Sequence, residues 1–205
     1  TQQLPALASE TGVERGYNRS LMERLVSSGY PVKFLNVQHR MHPEIVLYPN
    51  TAFYAGALQT AYASSDKPSS TLTPYKIIAV DGQCVEAGTS FVNEAEVSVC
   101  VEVQREIQKH YENVVIVTPY QGQTRALLAA GAINVHTVDS FQGREADAVI
   151  VSMVRCEEIG FWSDTRRLNV ALTRARHILR VVGGAARWTG ALKSLAADGM
   201  KRKLL

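Results

Sequence analysis

Val114-Val115-Ile116-Val117 is a run of four apolar residues, three of them valine, with no polar residue between them. A strand with one wet face alternates apolar and polar side chains. A strand that is apolar throughout is covered on both faces, as in a parallel sheet sandwiched by helices. Val149-Ile150-Val151 repeats the pattern inside a longer stretch, 148–154, and 178–182, interrupted at Arg180, also reads as a strand. Further outward, 33–37, 75–80 and 134–137 read as strands. The intervening segments 43–54, 123–130, 166–174 and 185–197 read as helices, the first with a break at Pro49. The best helix is 93–111: Asn93 can cap it, Glu96 stands at the capping-box position, and Val97, Cys100, Val101 and Ile107 share one face. The segment 64–74, rich in Ser, Thr and Pro, reads as a loop. Strands alternating with helices give an α/β fold: a parallel sheet flanked by helices.

Composition narrows the classes. The chain has 205 residues, 46% hydrophobic and 20% charged, enough for one α/β domain with a sizeable core. No apolar run reaches the length of a membrane span, no charged-then-apolar leader opens the sequence, and a membrane partner is not expected. It starts at Thr1, which reads as a piece of something longer. Cys84, Cys100 and Cys156 are odd in number and widely spaced, with no CxxC pair. That fits reduced thiols in an intracellular protein, cytoplasmic or nuclear, without a metal site. The net charge of +3 says little, but Arg155, Arg166, Arg167, Arg174, Arg176, Arg180 and Arg187 fall in one short stretch. That stretch is either a solvated basic face or a surface for phosphates.

Four segments carry unusual residues, and in a parallel sheet ligand groups are expected on loops at the carboxyl ends of the strands. Gln38-His39-Arg40-Met41-His42-Pro43 follows the 33–37 strand. It is either a helix entry with a solvated Arg40 or a site for a nucleotide's phosphate and base. Thr118-Pro119-Tyr120, at the end of the 114–117 strand, is either an ordinary turn or a helix start whose amides take phosphate while Tyr120 stacks on a base. In Thr137-Val138-Asp139-Ser140-Phe141-Gln142-Gly143-Arg144-Glu145-Ala146-Asp147, the Thr137 and Ser140 hydroxyls suit a phosphate backbone and Glu145 a ribose hydroxyl. In Leu168-Asn169-Val170-Ala171-Leu172-Thr173-Arg174-Ala175-Arg176, an arginine at a helix carboxyl end is either compensation for the helix dipole or an arginine finger.

Taken in order, QHRMHPEI, VTPYQGQ, TVDSFQGREAD and LNVALTRAR resemble motifs IV, IVa, V and VI of superfamily 1B helicases of the nonsense-mediated-decay type. FYAGAL and SFVNEAEV match landmarks between them, and Gln2-Gln3-Leu4-Pro5 resembles the tail of motif III. The resemblance covers nearly the whole chain and implies a second RecA-like motor domain of the P-loop NTPase type. Residues 1–30 would be the linker from motif III and a lead-in helix, and 31–205 the core. It implies Arg40, Arg174 and Gln3 as groups at the γ-phosphate of ATP. His39, Gly143 and Glu145 would hold the nucleotide, and Thr118, Tyr120, Thr137 and Ser140 would contact single-stranded RNA or DNA. It further implies 5′-to-3′ movement. Two positions depart from the family: Ala6 replaces a common proline, and His39 a common tyrosine. The sequence contains no GxxxxGK[ST] phosphate loop. The phosphate loop and the Mg²⁺ ligands are therefore expected from a first RecA-like domain of the same parent chain, and this chain alone is expected not to hydrolyse ATP. Two other classes of function compete: a nucleic-acid-binding scaffold that has lost its ATPase, and a membrane- or partner-binding regulatory domain.

Overall fold

The computed structural model describes residues 9–62, 71–155 and 160–205. Its elements in chain order are α1 (Glu10–Glu14), α2 (Leu21–Ser27), β1 (Val37–Gln38), α3 (Pro43–Tyr54), β2 (Gln59–Thr60), β3 (Tyr75–Ala79), β4 (Val85–Ala87), β5 (Ser90–Val92), α4 (Glu94–Ile107), β6 (Val114–Thr118), α5 (Gln121–Ala129), β7 (Val135–Thr137), β8 (Ala146–Ser152), α6 (Thr165–Leu172), β9 (Ala175–Gly183) and α7 (Gly190–Lys201). Two short 3-10 turns, Gly160–Ser163 and Ala185–Arg187, precede α6 and α7.

Strands β3-β9-β8-β6-β7 form one sheet in that order, every neighbouring pair parallel. Its apolar strands divide by parity, as the two-residue repeat of a strand requires. Val115, Val117, Val149, Val151, Leu179 and Val181 face a core completed by α3, α6 and α7. Val114, Ile116, Ala148, Ile150, Ile178 and Val182 face a second core completed by α4 and α5. Both faces are covered, which is why these strands carry no polar alternation. The buried face of α4 consists of Val97, Cys100, Val101 and Ile107 together with Glu96 and Gln104.

Several boundaries differ from the sequence expectation. Helix α3 runs unbroken through Pro49. An interior proline costs about 3 kcal/mol. Ile45 and Val46 on the same helix are buried, at about 1.5–3 kcal/mol each, so packing outweighs the lost hydrogen bond. The 33–37 strand shrinks to β1, because Phe34 and Leu35 stay exposed with no sheet to cover them. The 166–174 helix stops at Leu172, where the Thr173 hydroxyl turns back to the Asn169 carbonyl at 2.7 Å. The 185–197 helix splits into the second 3-10 turn and α7. Strand β8 ends at Ser152, two residues short of expectation, and Val154 beyond it has a φ of 67°. That left-handed conformation costs a β-branched residue about 1–2 kcal/mol. The expected 64–74 loop falls largely outside the described residues. The short antiparallel hairpin of β4 and β5 was not anticipated.

Candidate nucleotide and nucleic-acid site

Arg40 leaves the chain just before α3, and Glu145 just before β8. Their side chains meet at 2.5 Å, the Arg40 Nε donating to Glu145 Oε2. Arg40 Nη1 also donates to the Thr173 carbonyl at 3.2 Å. Arg174, the next residue, precedes β9 and donates from Nη1 to the Arg144 carbonyl at 3.3 Å. Arg176 lies 4.0 Å from Glu145 and 3.6 Å from Asp147. Arg40, Arg174, Arg176, Glu145 and Asp147 are thus one cluster, in surplus of positive charge, assembled from three distant segments. Gly143, exposed at a φ of 80°, makes the turn leading into it.

Arg40 and Glu145 are partly exposed. Arg174 differs: it is only 2% exposed. Its Nε donates to the Val170 carbonyl at 2.9 Å and its Nη2 to the Thr173 hydroxyl at 2.9 Å, so it caps the last turn of α6. Burial, and then the neighbouring Arg40 charge, lower its pKa to about 10, which still leaves it cationic at neutral pH. His39 is exposed, beside the cluster in sequence. Gln3 lies outside the described residues.

One expectation about place needs correction. Glu145 and Arg174 stand at the amino ends of β8 and β9, not at carboxyl ends. The segment after β7 starts at the carboxyl end of the sheet with Thr137. It must run back to the amino end to enter β8, because the strands are parallel. Its two halves therefore serve opposite ends of the sheet.

At the carboxyl end, Thr137 and Ser140 form a tight turn. The Thr137 hydroxyl accepts from the Ser140 amide at 3.2 Å, and the Ser140 hydroxyl donates to the Thr137 carbonyl at 3.0 Å. Thr137 Oγ1 is used there as an acceptor, so its proton suits a phosphate oxygen. Ser140 is exposed. Thr118 and Tyr120 do not fit the surface contacts expected of them. Thr118, the last residue of β6, is 0% exposed, and Tyr120 is 2% exposed. A strand end wedged between two others leaves Thr118 no route to solvent. The Tyr120 ring is enclosed edge-on by Phe91 and Phe161, and burial is the main reason its hydroxyl pKa is raised. Gln123 of the same segment is buried as well. It bridges the Asn93 backbone and the Ser152 hydroxyl, accepting from the Asn93 amide at 2.8 Å.

Gln123 belongs to a polar knot that sequence reading glimpsed only at one end. The Asn93 side chain caps α4 by accepting from the Glu96 amide at 3.2 Å, as expected. Glu96, however, gives its carboxylate to the Val154 amide at 2.9 and 3.0 Å and to the Ser152 hydroxyl at 2.7 Å. It thereby holds the left-handed Val154. Burial raises the Glu96 pKa to about 7, against the lowering effect of those hydrogen bonds. Nothing local in the sequence announces a partner 58 residues away. Among the described residues no group of three His, Cys, Asp or Glu side chains could hold a metal ion, and no helix is long and apolar enough to cross a membrane.

The AAA_12 family model, described as an AAA domain, matches residues 17–186. The chain belongs to the AAA_12 family. This membership agrees with the superfamily 1 helicase resemblance carried by the four motifs, all of which lie inside the match. The AAA_12 chain is 36% identical over 88% of its length to "Regulator of nonsense transcripts 1" of Dictyostelium discoideum. It is 35% identical over 89% to "ATP-dependent helicase upf1" of Schizosaccharomyces pombe, and 34% identical over 89% to "ATP-dependent helicase NAM7" of Saccharomyces cerevisiae. It spans only 16%, 23% and 22% of those relatives. The solved Arterivirus nonstructural protein 10 (helicase) aligns with 95% of this chain and 33% of its own, at 16% identity and a TM-score of 0.46, too loose a likeness to add to the assignment.

Proposed function

We propose that this AAA_12 chain is the second RecA-like motor domain of an ATP-driven 5′-to-3′ RNA or DNA helicase. Residues 31–205 form its core and 1–30 its lead-in, and it works against a first RecA-like domain in the same parent chain. The observation that carries the reading is the convergence of Arg40 with Glu145 and Arg174, both more than a hundred residues further along the chain. Phosphoryl transfer needs positive charge at the equatorial oxygens of the γ-phosphate, and a cleft between domains can supply it from the far side. Arg40 is the accessible charge. Its carboxylate partner Glu145 is the residue suited to a ribose hydroxyl, so nucleotide entry would exchange the Arg40–Glu145 pair for Arg40–phosphate and Glu145–ribose. Arg174 is the second charge, held rigidly behind Arg40. Gly143 shapes the turn, His39 lies beside the base, and Gln3 completes the phosphate contacts. The surplus of arginine fits a triphosphate.

Single-stranded nucleic acid lies at the other end of the sheet, over Thr137 and Ser140. The companion domain has a surface to meet. On α2, Leu21, Met22, Leu25 and Val26 are all exposed, and α2 buries none of its residues. An apolar helix face of this kind suits a domain interface. The test is Arg40→Ala in the complete parent. ATP turnover should fall by about 10³ or more, while binding of single-stranded RNA or DNA stays within about twofold, since phosphate contacts at Thr137 are untouched. Unchanged turnover overturns the nucleotide-site assignment.

A further inference from the structure

Beyond the carboxyl end of β8 the chain builds a feature that neither the nucleotide cluster nor the Thr137 turn explains. Gly160 opens the 3-10 turn at a φ of 47°, and a Cβ there would stand 2.4 Å from the Tyr120 hydroxyl and 3.1 Å from Arg155 Nη1. The backbone comes this close only because residue 160 has no side chain. Two adjacent aromatics follow and take opposite roles. Trp162 is fully buried, its indole N–H donating to the Met153 carbonyl at 2.9 Å. Phe161 points outward and remains 43% exposed. Tyr120 meets the Phe161 ring edge-on, with centroids at 5.3 Å and planes at 84°, and meets Phe91 likewise at 5.5 Å and 76°. Arg155 lies 4.3 Å over the Phe91 ring and Arg167 lies 5.0 Å from the Phe161 centroid. Arg167 also donates to Asp139 at 3.0 Å. Asp139 sits between Thr137 and Ser140, so one guanidinium joins the exposed ring to the proposed phosphate turn.

We propose that Phe161, backed by Tyr120 and flanked by Phe91, Arg155 and Arg167, is a stacking site for the bases of a single nucleic-acid strand. The proposal rests on the helicase reading and assigns the strand its base contact. Three features favour bases over an acidic peptide. Arg166 and Arg167 already hold Asp164 and Asp139, so the patch offers aromatic faces more than charge. Every base has a π-face, which suits binding without sequence preference. The phosphates of a strand lying on Phe161 have the Thr137 hydroxyl within the same patch. The platform is stiff: Tyr120 is buried, Trp162 is anchored, and the Asn93–Glu96–Gln123–Ser152 knot holds the chain directly before Arg155. A preorganised aromatic loses little freedom on binding.

The experiment measures binding of a labelled oligouridylate and of an abasic oligomer with the same phosphates, at one salt concentration, by the full chain and its variants. Phe161→Leu keeps apolar bulk but removes the π-face. It should weaken the oligouridylate about tenfold and leave the abasic oligomer unaffected, while Phe161→Tyr restores wild-type binding. Equal weakening of both oligomers, or none of either, overturns the stacking site. Failure of the unsubstituted chain to bind either oligomer overturns the nucleic-acid reading itself, and the platform with it, a result distinct from insensitivity to the base.

Discussion

Arg174 is where chemistry and stability are hardest to separate, because its guanidinium donates to Val170, Thr173 and Arg144 while standing behind Arg40. Arg174→Ala leaves buried carbonyls without donors, at about 1–3 kcal/mol for an unsatisfied group. The variant should show both a lower thermal midpoint in the isolated chain and, in the complete parent, a turnover reduced by about 10³ with nucleic-acid binding spared. Lost stability with normal turnover per folded molecule would make Arg174 a cap for α6 and leave Arg40 as the finger. Glu96 gives a second residue-scale prediction. Its folded pKa of about 7 lies above the ordinary carboxylate value, so the folded state holds this proton more tightly than the unfolded chain. The stabilisation is fully present below the unfolded pKa, near 4.5, and is lost as pH rises through 7. Glu96→Gln should flatten the pH dependence of the thermal midpoint across that window. An unchanged slope would mean that other groups set it. Glu96 also marks the limit of sequence reading at this scale. Its place three residues after Asn93 was legible, because capping is local. Its grip on Val154 was not, because spacing says nothing of what a carboxylate reaches across a fold.

Among the elements, α2 and α5 invite opposite expectations. Among the described residues, none on α2 is buried. Leu25→Glu should leave the isolated chain's stability within about 0.5 kcal/mol, as surface substitutions do. In the parent it should weaken coupling between ATP turnover and nucleic acid, read as lost stimulation. Strong destabilisation of the isolated chain would show instead that α2 packs within this domain. Gly122, in the first turn of α5, would present a Cβ 2.9 Å from the Phe91 carbonyl and 3.1 Å from Val92. Gly122→Ala should lower unfolding free energy by about 1–3 kcal/mol, measured in urea, because the β4–β5 hairpin must retreat. Strand β6 and the middle of β8 were legible because double burial writes itself as unbroken apolar runs. The hairpin was not: half-exposed short strands leave no period to read. Thr118 and Tyr120 misled for a related reason. A strand end looks like a loop in sequence, and only the neighbouring strands and rings show it to be enclosed.

For the whole molecule, the reading requires that this chain be catalytically mute. No phosphate loop occurs in its sequence, so the purified chain should release no phosphate from ATP above background. Steady turnover by the pure chain would mean the site is complete here and the two-domain reading is mistaken. The clustering of Arg40 with Glu145 could not be had from composition or periodicity. It came from motif order, and the structure added where the cluster stands, at the amino ends of the strands.

That position has a mechanical consequence. Strand β8 begins one residue after Glu145 and ends three residues before Arg155. Seven residues of extended chain measure about 23 Å, and six of the seven are buried. Helix α6 runs alongside, from Arg167 near its start to Arg174 just past its end. Under the proposed function, fuel is sensed at one tip of this pair of struts and the strand is gripped at the other. A buried strand cannot lengthen or slip register without turning its side chains to the wrong face. Whatever tilts the Arg40 end must therefore swing the Phe161 end as one stiff lever, and the stroke would be set by the length of the strut rather than by the give of any loop.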